Sequence, residues 1–67
     1  MRMKVQGEAG GWVGVRTRIG PDDVSREVRV RAESEPGTFT YVDYTSAQAR
    51  ELAAALVQAA DEAEAGR

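Results

Sequence analysis

The stretch FTYVDYTSAQARELAAALVQAADEAE, residues 39–64, changes its hydrophobic period at Thr45. Before that point, Phe39 to Tyr44 is rich in aromatic and β-branched residues and reads as a strand. After it, Ser46 to Glu64 is dominated by Ala, Leu, Glu, Gln and Arg, which lose little on entering a helix. Thr45 with Gln48 three positions on is a capping-box pattern: the hydroxyl accepts from a free backbone N–H and the amide reaches back. Tyr44, one residue before the cap, is placed to staple against Ala49. At about 100° per residue, Ala49, Leu52, Leu56, Ala59, Ala60 and Ala63 share one face. Arg50, Glu51, Ala54, Gln58 and Asp61 lie opposite, with Val57 on the flank. Gly66 supplies a stop. Asp61, Glu62 and Glu64 sit near the negative end of the helix dipole, so that end is expected to fray unless a basic partner covers it.

Working back from residue 39, the period is two. Met1, Met3 and Val5 alternate with Arg2, Lys4 and Gln6, as in a half-buried strand. Gly7-Glu8-Ala9-Gly10-Gly11 breaks the run, and its Gly-Gly pair permits the positive φ of a hairpin turn. From Trp12 to Ile19, Val13, Val15, Thr17 and Ile19 share one face and Trp12, Gly14, Arg16 and Arg18 the other. Gly20-Pro21-Asp22-Asp23 is a turn, because Pro presets φ and Asp bonds its own backbone. From Val24 to Glu33, Val24, Val28, Val30 and Ala32 alternate with Ser25, Glu27, Arg29, Arg31 and Glu33, with Arg26 as the exception among the apolar positions. Glu35-Pro36-Gly37-Thr38 matches a type II turn.

Short turns between consecutive strands predict an antiparallel meander. The expected class is therefore α+β: a three- to four-stranded meander followed by one C-terminal helix packed on one sheet face. Strands are expected near 2–7, 12–19, 24–33 and 38–44 and the helix near 46–64, in one domain spanning 1–67. The face toward the helix should hold Val5, Val13, Val15, Ile19, Val28 and Val30. In the last strand, either Val42 with Tyr44 or Phe39 with Tyr41 joins them. Either way aromatic groups are left on the far side.

Composition narrows the function classes. The chain has no cysteine and no histidine, which excludes disulfides, thiolate nucleophiles, zinc fingers and imidazole acid–base chemistry. Ser25, Thr45 and Ser46 have no base beside them, and Asp22-Asp23 is explained by its turn. The glycine-rich loop lacks the strand–helix context of a phosphate loop. No catalytic, metal or cofactor residue is assigned, and an enzyme is not expected. No apolar run has the length of a membrane span, and MRMKVQGEAGG lacks the apolar stretch of a secretory signal. The absence of cysteine fits a cytoplasmic setting. Seventeen large apolar side chains make a thin core, and small domains without metal or disulfide commonly gain stability by self-association.

The net charge of −2 hides a segregation. Residues 1–31 carry seven basic and four acidic side chains, whereas residues 32–67 carry two basic and seven acidic. Such asymmetry suits a partner or a second copy. The candidate interaction face is Trp12, Arg16, Arg18, Arg29, Arg31, Phe39 and Tyr41, with Lys4 beside them. Tyr, Trp, Phe and Arg are the residues enriched at protein interfaces. This predicts a homo-oligomer, a dimer first, that also binds a cellular protein. The same groups suit single-stranded nucleic acid, although Glu27 and Glu33 on that face count against it. A third explanation is local packing of rings against arginine stems.

YVDYTSAQARELAAALVQAADEAEAG, residues 41–66, resembles small uncharacterised actinobacterial and actinobacteriophage proteins ending in a strand, a Ser/Thr cap and an A-R-x-L-A-x-A-L-x-x-A-A-D helix. Ala49, Arg50, Leu52, Ala53, Ala55, Leu56, Ala59, Ala60 and Asp61 carry the resemblance. The pattern departs at the cap, where Tyr44 and Ser46 replace a flanking Leu and Pro. The resemblance implies a β-then-α fold, leaves open a phage origin, and carries over no site.

Overall fold

The computed structural model describes residues 1–66. Four strands, β1 (Arg2–Gln6), β2 (Trp12–Ile19), β3 (Arg26–Glu35) and β4 (Thr38–Tyr44), precede one helix, α1 (Ser46–Ala65). The strands form one antiparallel sheet in the order β1-β2-β3-β4. This is the α+β meander that the turn spacing predicts.

The turns use the expected chemistry. The Gly7 N–H donates to the Gly11 carbonyl at 2.6 Å, which ends β1, and Gly10 adopts φ 95° within that turn. Between β2 and β3, the Asp23 N–H closes on the Gly20 carbonyl at 3.0 Å. One Asp22 carboxylate oxygen accepts from the backbone N–H groups of Val24 and Ser25, and the other accepts from the Ser25 hydroxyl. These bonds, the hydroxyl foremost, hold the Asp22 carboxyl down at about 2. Val24 is thereby drawn into the turn, 82% exposed, instead of opening the strand on the apolar face as its alternation predicts. The third strand runs two residues later at both ends than the alternation suggests. At its far end a bulge between Glu33 and Glu35 lets it continue into the Pro36-Gly37 turn, where Gly37 takes φ 81°.

The register settles which side chains share a face, because directly paired antiparallel residues point the same way. Met3 pairs Val15 and Val15 pairs Val30, which pairs Val42. Val28 pairs Tyr44. Val42 and Tyr44 therefore join the valine face, and Phe39 and Tyr41 point to the other.

The helix opens on a complete capping box. The Gln48 N–H donates to Thr45 Oγ1 at 3.1 Å, and the Thr45 N–H donates to Gln48 Oε1 at 3.0 Å. It packs on the sheet through β3 and β4. Within it only Ala49 and Leu52 are half-buried; Leu56 and Val57, further along, are 62% and 61% exposed. The helix therefore covers less of the sheet than its apolar stripe is long enough to cover. Among the described residues no large apolar side chain is fully buried, and Met3 and Val5 on β1 are 57% and 58% exposed. Among the described residues no helix is long and apolar enough to cross a membrane.

Candidate functional site on the outer sheet face

All seven residues singled out from the sequence fall on the side opposite the valines. They lie in three rows that run across the four strands. Arg2, Arg16, Arg29 and Asp43 form one row, Lys4, Gly14, Arg31 and Tyr41 the next, and Gln6, Trp12, Glu33 and Phe39 the third. Arg18 pairs with Glu27 beside the first row.

The first row is an unbalanced electrostatic ladder. Arg29 clasps Asp43 from the paired position, with Nε to Oδ1 at 2.8 Å and Nη2 to Oδ2 at 3.0 Å. Arg18 Nη1 adds a third bond to Oδ2 at 3.1 Å, and its Nε lies 4.0 Å from Glu27 Oε1. Hydrogen bonding from Arg29 holds the Asp43 carboxyl below its ordinary range, and the same contact raises the Arg29 guanidinium. Asp43 is thus fully engaged by two arginines. At the other end, Arg2 faces Arg16 directly, and Arg16 faces Arg29. Like charges in directly opposite positions repel. Among the described residues, no carboxylate lies within 4.0 Å of a charged nitrogen of Arg2, Lys4 or Arg16.

The other two rows interleave cations and rings. The Lys4 ammonium sits 4.2 Å from the centre of the Trp12 ring, and the Arg31 guanidinium lies over the same ring at 5.6 Å. Arg31 also lies 3.8 Å over Phe39, and Arg29 lies 4.1 Å over Tyr41. Phe39 and Tyr41 stack at 6.4 Å. Gly14 makes room for this arrangement: a Cβ there would stand 3.0 Å from the Trp12 ring edge. Its value is the missing side chain, since the strand on either side of it is regular. Arg31 reaches Glu33 only at 3.9 Å, and its Nε is buried without a hydrogen-bond partner.

The rows bound a groove of about 570 Å³, lined by Arg2, Lys4, Arg16, Arg31, Phe39 and Tyr41 among others. Its free chemistry is cationic, because the rings already carry cations on them. Arg18 and Arg29 belong to the same face but are spent on Asp43. Arg2 was not among the singled-out residues. The signal that finds it is the strand register, which sets it opposite Arg16 and which alternation within one strand does not contain. The Asp22-Asp23 pair lies apart, with Asp22 occupied by its own turn.

Comparison of this chain with protein-family models, with curated proteins and with solved structures finds no match.

Proposed function

We propose that this chain is a small non-enzymatic interaction module that self-associates and binds an acidic segment of a cellular protein, a host protein if the chain is phage-encoded. One observation carries the reading: the sheet is chemically unfinished on both sides. One side presents uncovered aliphatic groups, and the other presents cations without counter-charges.

The two deficits call for different partners. Uncovered apolar surface is satisfied by another apolar surface, and a second copy supplies one automatically. The Arg2–Arg16–Lys4 cluster is satisfied by carboxylates, which guanidinium groups hold through paired hydrogen bonds. An acidic segment also removes the repulsion along the Arg2–Arg16–Arg29 row. The arginine-rich, ring-bearing groove supports a second reading, a single-stranded nucleic acid accessory protein. That mode depends on ring faces open to bases, whereas here Lys4, Arg29 and Arg31 lie over the rings at 3.8–4.2 Å. The acidic-segment reading is therefore preferred.

Trp12 lines the groove and is the sole tryptophan, so its fluorescence reports binding directly. Titration with an oligo-glutamate peptide at low salt should shift its emission. The Arg2→Ala/Arg16→Ala double variant should bind at least about tenfold more weakly, as loss of two charge-assisted contacts implies. No response to the peptide at low salt overturns the reading. A response to oligo-deoxythymidylate that is stronger than to the peptide, and that falls steeply with salt, replaces it with the nucleic-acid reading.

A further inference from the structure

Apart from Phe39 and Tyr41 under the arginines of the outer face, and Met1 and Val24 at the terminus and turn, the open apolar surface has two parts, and they lie on different elements. On the sheet it is Met3, Val5, Val13, Ile19 and Val42; on the helix it is Leu56 and Val57. We infer that two copies of this chain close by helix exchange, the apolar stripe of each α1 lying over the β1–β2 side of the other's valine face. This deepens the self-association proposed above by naming the surfaces that meet.

The area supports a second copy. The chain exposes 5577 Å², whereas a compact folded monomer of its mass exposes about 4,100 Å². The excess is roughly 1,500 Å² per chain, well above the roughly 800 Å² that each partner buries in a standard interface. Two copies removing that excess would bury an area in the range of obligate homodimers. The shape agrees. The radius of gyration is 13.8 Å, against about 10.9 Å for a compact chain of this length.

The chain's own helix is poorly placed to finish the job. Only Thr45 separates β4 from α1, and its two reciprocal hydrogen bonds fix the direction in which the helix leaves. Its contacts are with β3 and β4. β1 lies two strands beyond β3, roughly 10 Å across the sheet. Swinging the helix over β1 would break the capping box, whereas a second copy's helix reaches β1 with every cap intact. The alanines at 59, 60 and 63 keep the helix surface low enough for close approach to a sheet.

The absence of cysteine makes the test clean. Val5→Cys and Leu56→Cys variants are prepared separately, checked for native far-UV circular dichroism, mixed, and oxidised. A disulfide between one chain of each kind, identified by mass and absent from either variant alone, is the expected result. Light scattering of the wild-type chain should give twice the chain mass. Leu56→Glu should weaken the dimer at least tenfold, and Trp12→Ala should leave it unchanged. A wild-type monomer at all concentrations overturns both this inference and the self-association beneath it. A dimer that crosslinks through Val5→Cys alone, or through Leu56→Cys alone, overturns helix exchange but leaves self-association standing. Loss of the dimer with Trp12→Ala but not with Leu56→Glu moves the contact to the outer face and likewise overturns the exchange.

Discussion

Arg29 and Asp43 occupy directly opposed positions on β3 and β4 and are joined by two parallel hydrogen bonds of 2.8 and 3.0 Å. The pair ends a row whose other members, Arg2 and Arg16, are both cationic. Asp43 therefore does two things at once. It ties the two C-terminal strands together, and it leaves the opposite end of its row without a counter-charge among the described residues. Charge on this face is distributed by register, which leaves Arg2 and Arg16 without a carboxylate in their row.

The acid dependence of folding should report this contact. Asp43 and Asp22 both have native pKa values below their unfolded ones, Asp22 at about 2 against an ordinary 3.8. A depressed carboxyl stabilises the fold in full above the unfolded value and loses that contribution as pH falls through the native one. Urea midpoints should accordingly hold steady above about pH 5 and decline toward pH 2. Asp43→Asn should lower the midpoint at neutral pH and make the acid decline shallower. An unchanged acid decline in that variant would assign the dependence elsewhere.

Gly14 should register the addition of even one methyl group. A Cβ there stands 3.0 Å from the Trp12 ring edge, so Gly14→Ala requires the indole, which carries Lys4 and Arg31, to give by a few tenths of an ångström. The expected result is a shift in tryptophan emission and a weaker near-UV circular dichroism band, with the far-UV spectrum unchanged. Gly10→Ala differs in kind: its added Cβ meets nothing within 4 Å, but the φ of 95° strains any side chain, so it should lower the thermal midpoint without a clash against the ring.

Removing the cap should loosen the helix. Thr45→Ala deletes one of the two capping-box bonds, and such losses cost about 1 kcal/mol. Far-UV circular dichroism should show reduced helicity and an earlier thermal transition. If helix exchange holds, the dimer should weaken as well, since the apolar stripe depends on a continuous helix.

Two turn positions should respond differently. Gly37 has φ 81° and Asp23 has φ 60°, both in the left-handed region. Gly37→Ala places a Cβ where it is disfavoured and should cost about 1 kcal/mol. Asp23→Gly relieves that same strain and should be neutral or slightly stabilising in a thermal melt, because the turn bonds are made by the neighbouring Asp22.

Local chemistry in this chain is readable because its signals act over a few residues. The capping box needs only Thr45 and Gln48, and the β3–β4 turn needs only Pro36 and Gly37. Alternation along β2 places Trp12, Arg16 and Arg18 on one side without reference to any other strand. Val24 escapes the same rule because the Asp22 carboxylate holds its backbone in a turn, and that local bond outweighs the alternation. Phe39 and Tyr41 could be oriented only by pairing with Glu33 and Arg31, a contact across the sheet.

The residue order by itself determined the elements, their succession, the turns between them and the two-sided character of the sheet. Those properties arise from backbone preferences and from periods of two and 3.6, which short segments carry within themselves. Tertiary structure alone decided that Asp43 takes Arg18 and Arg29 and leaves Arg2, Arg16 and Lys4 open, because strand register sets those distances. It also decided that α1 meets the sheet only at its beginning, because one tightly capped residue sets the helix's exit direction and hydrophobic patterning does not.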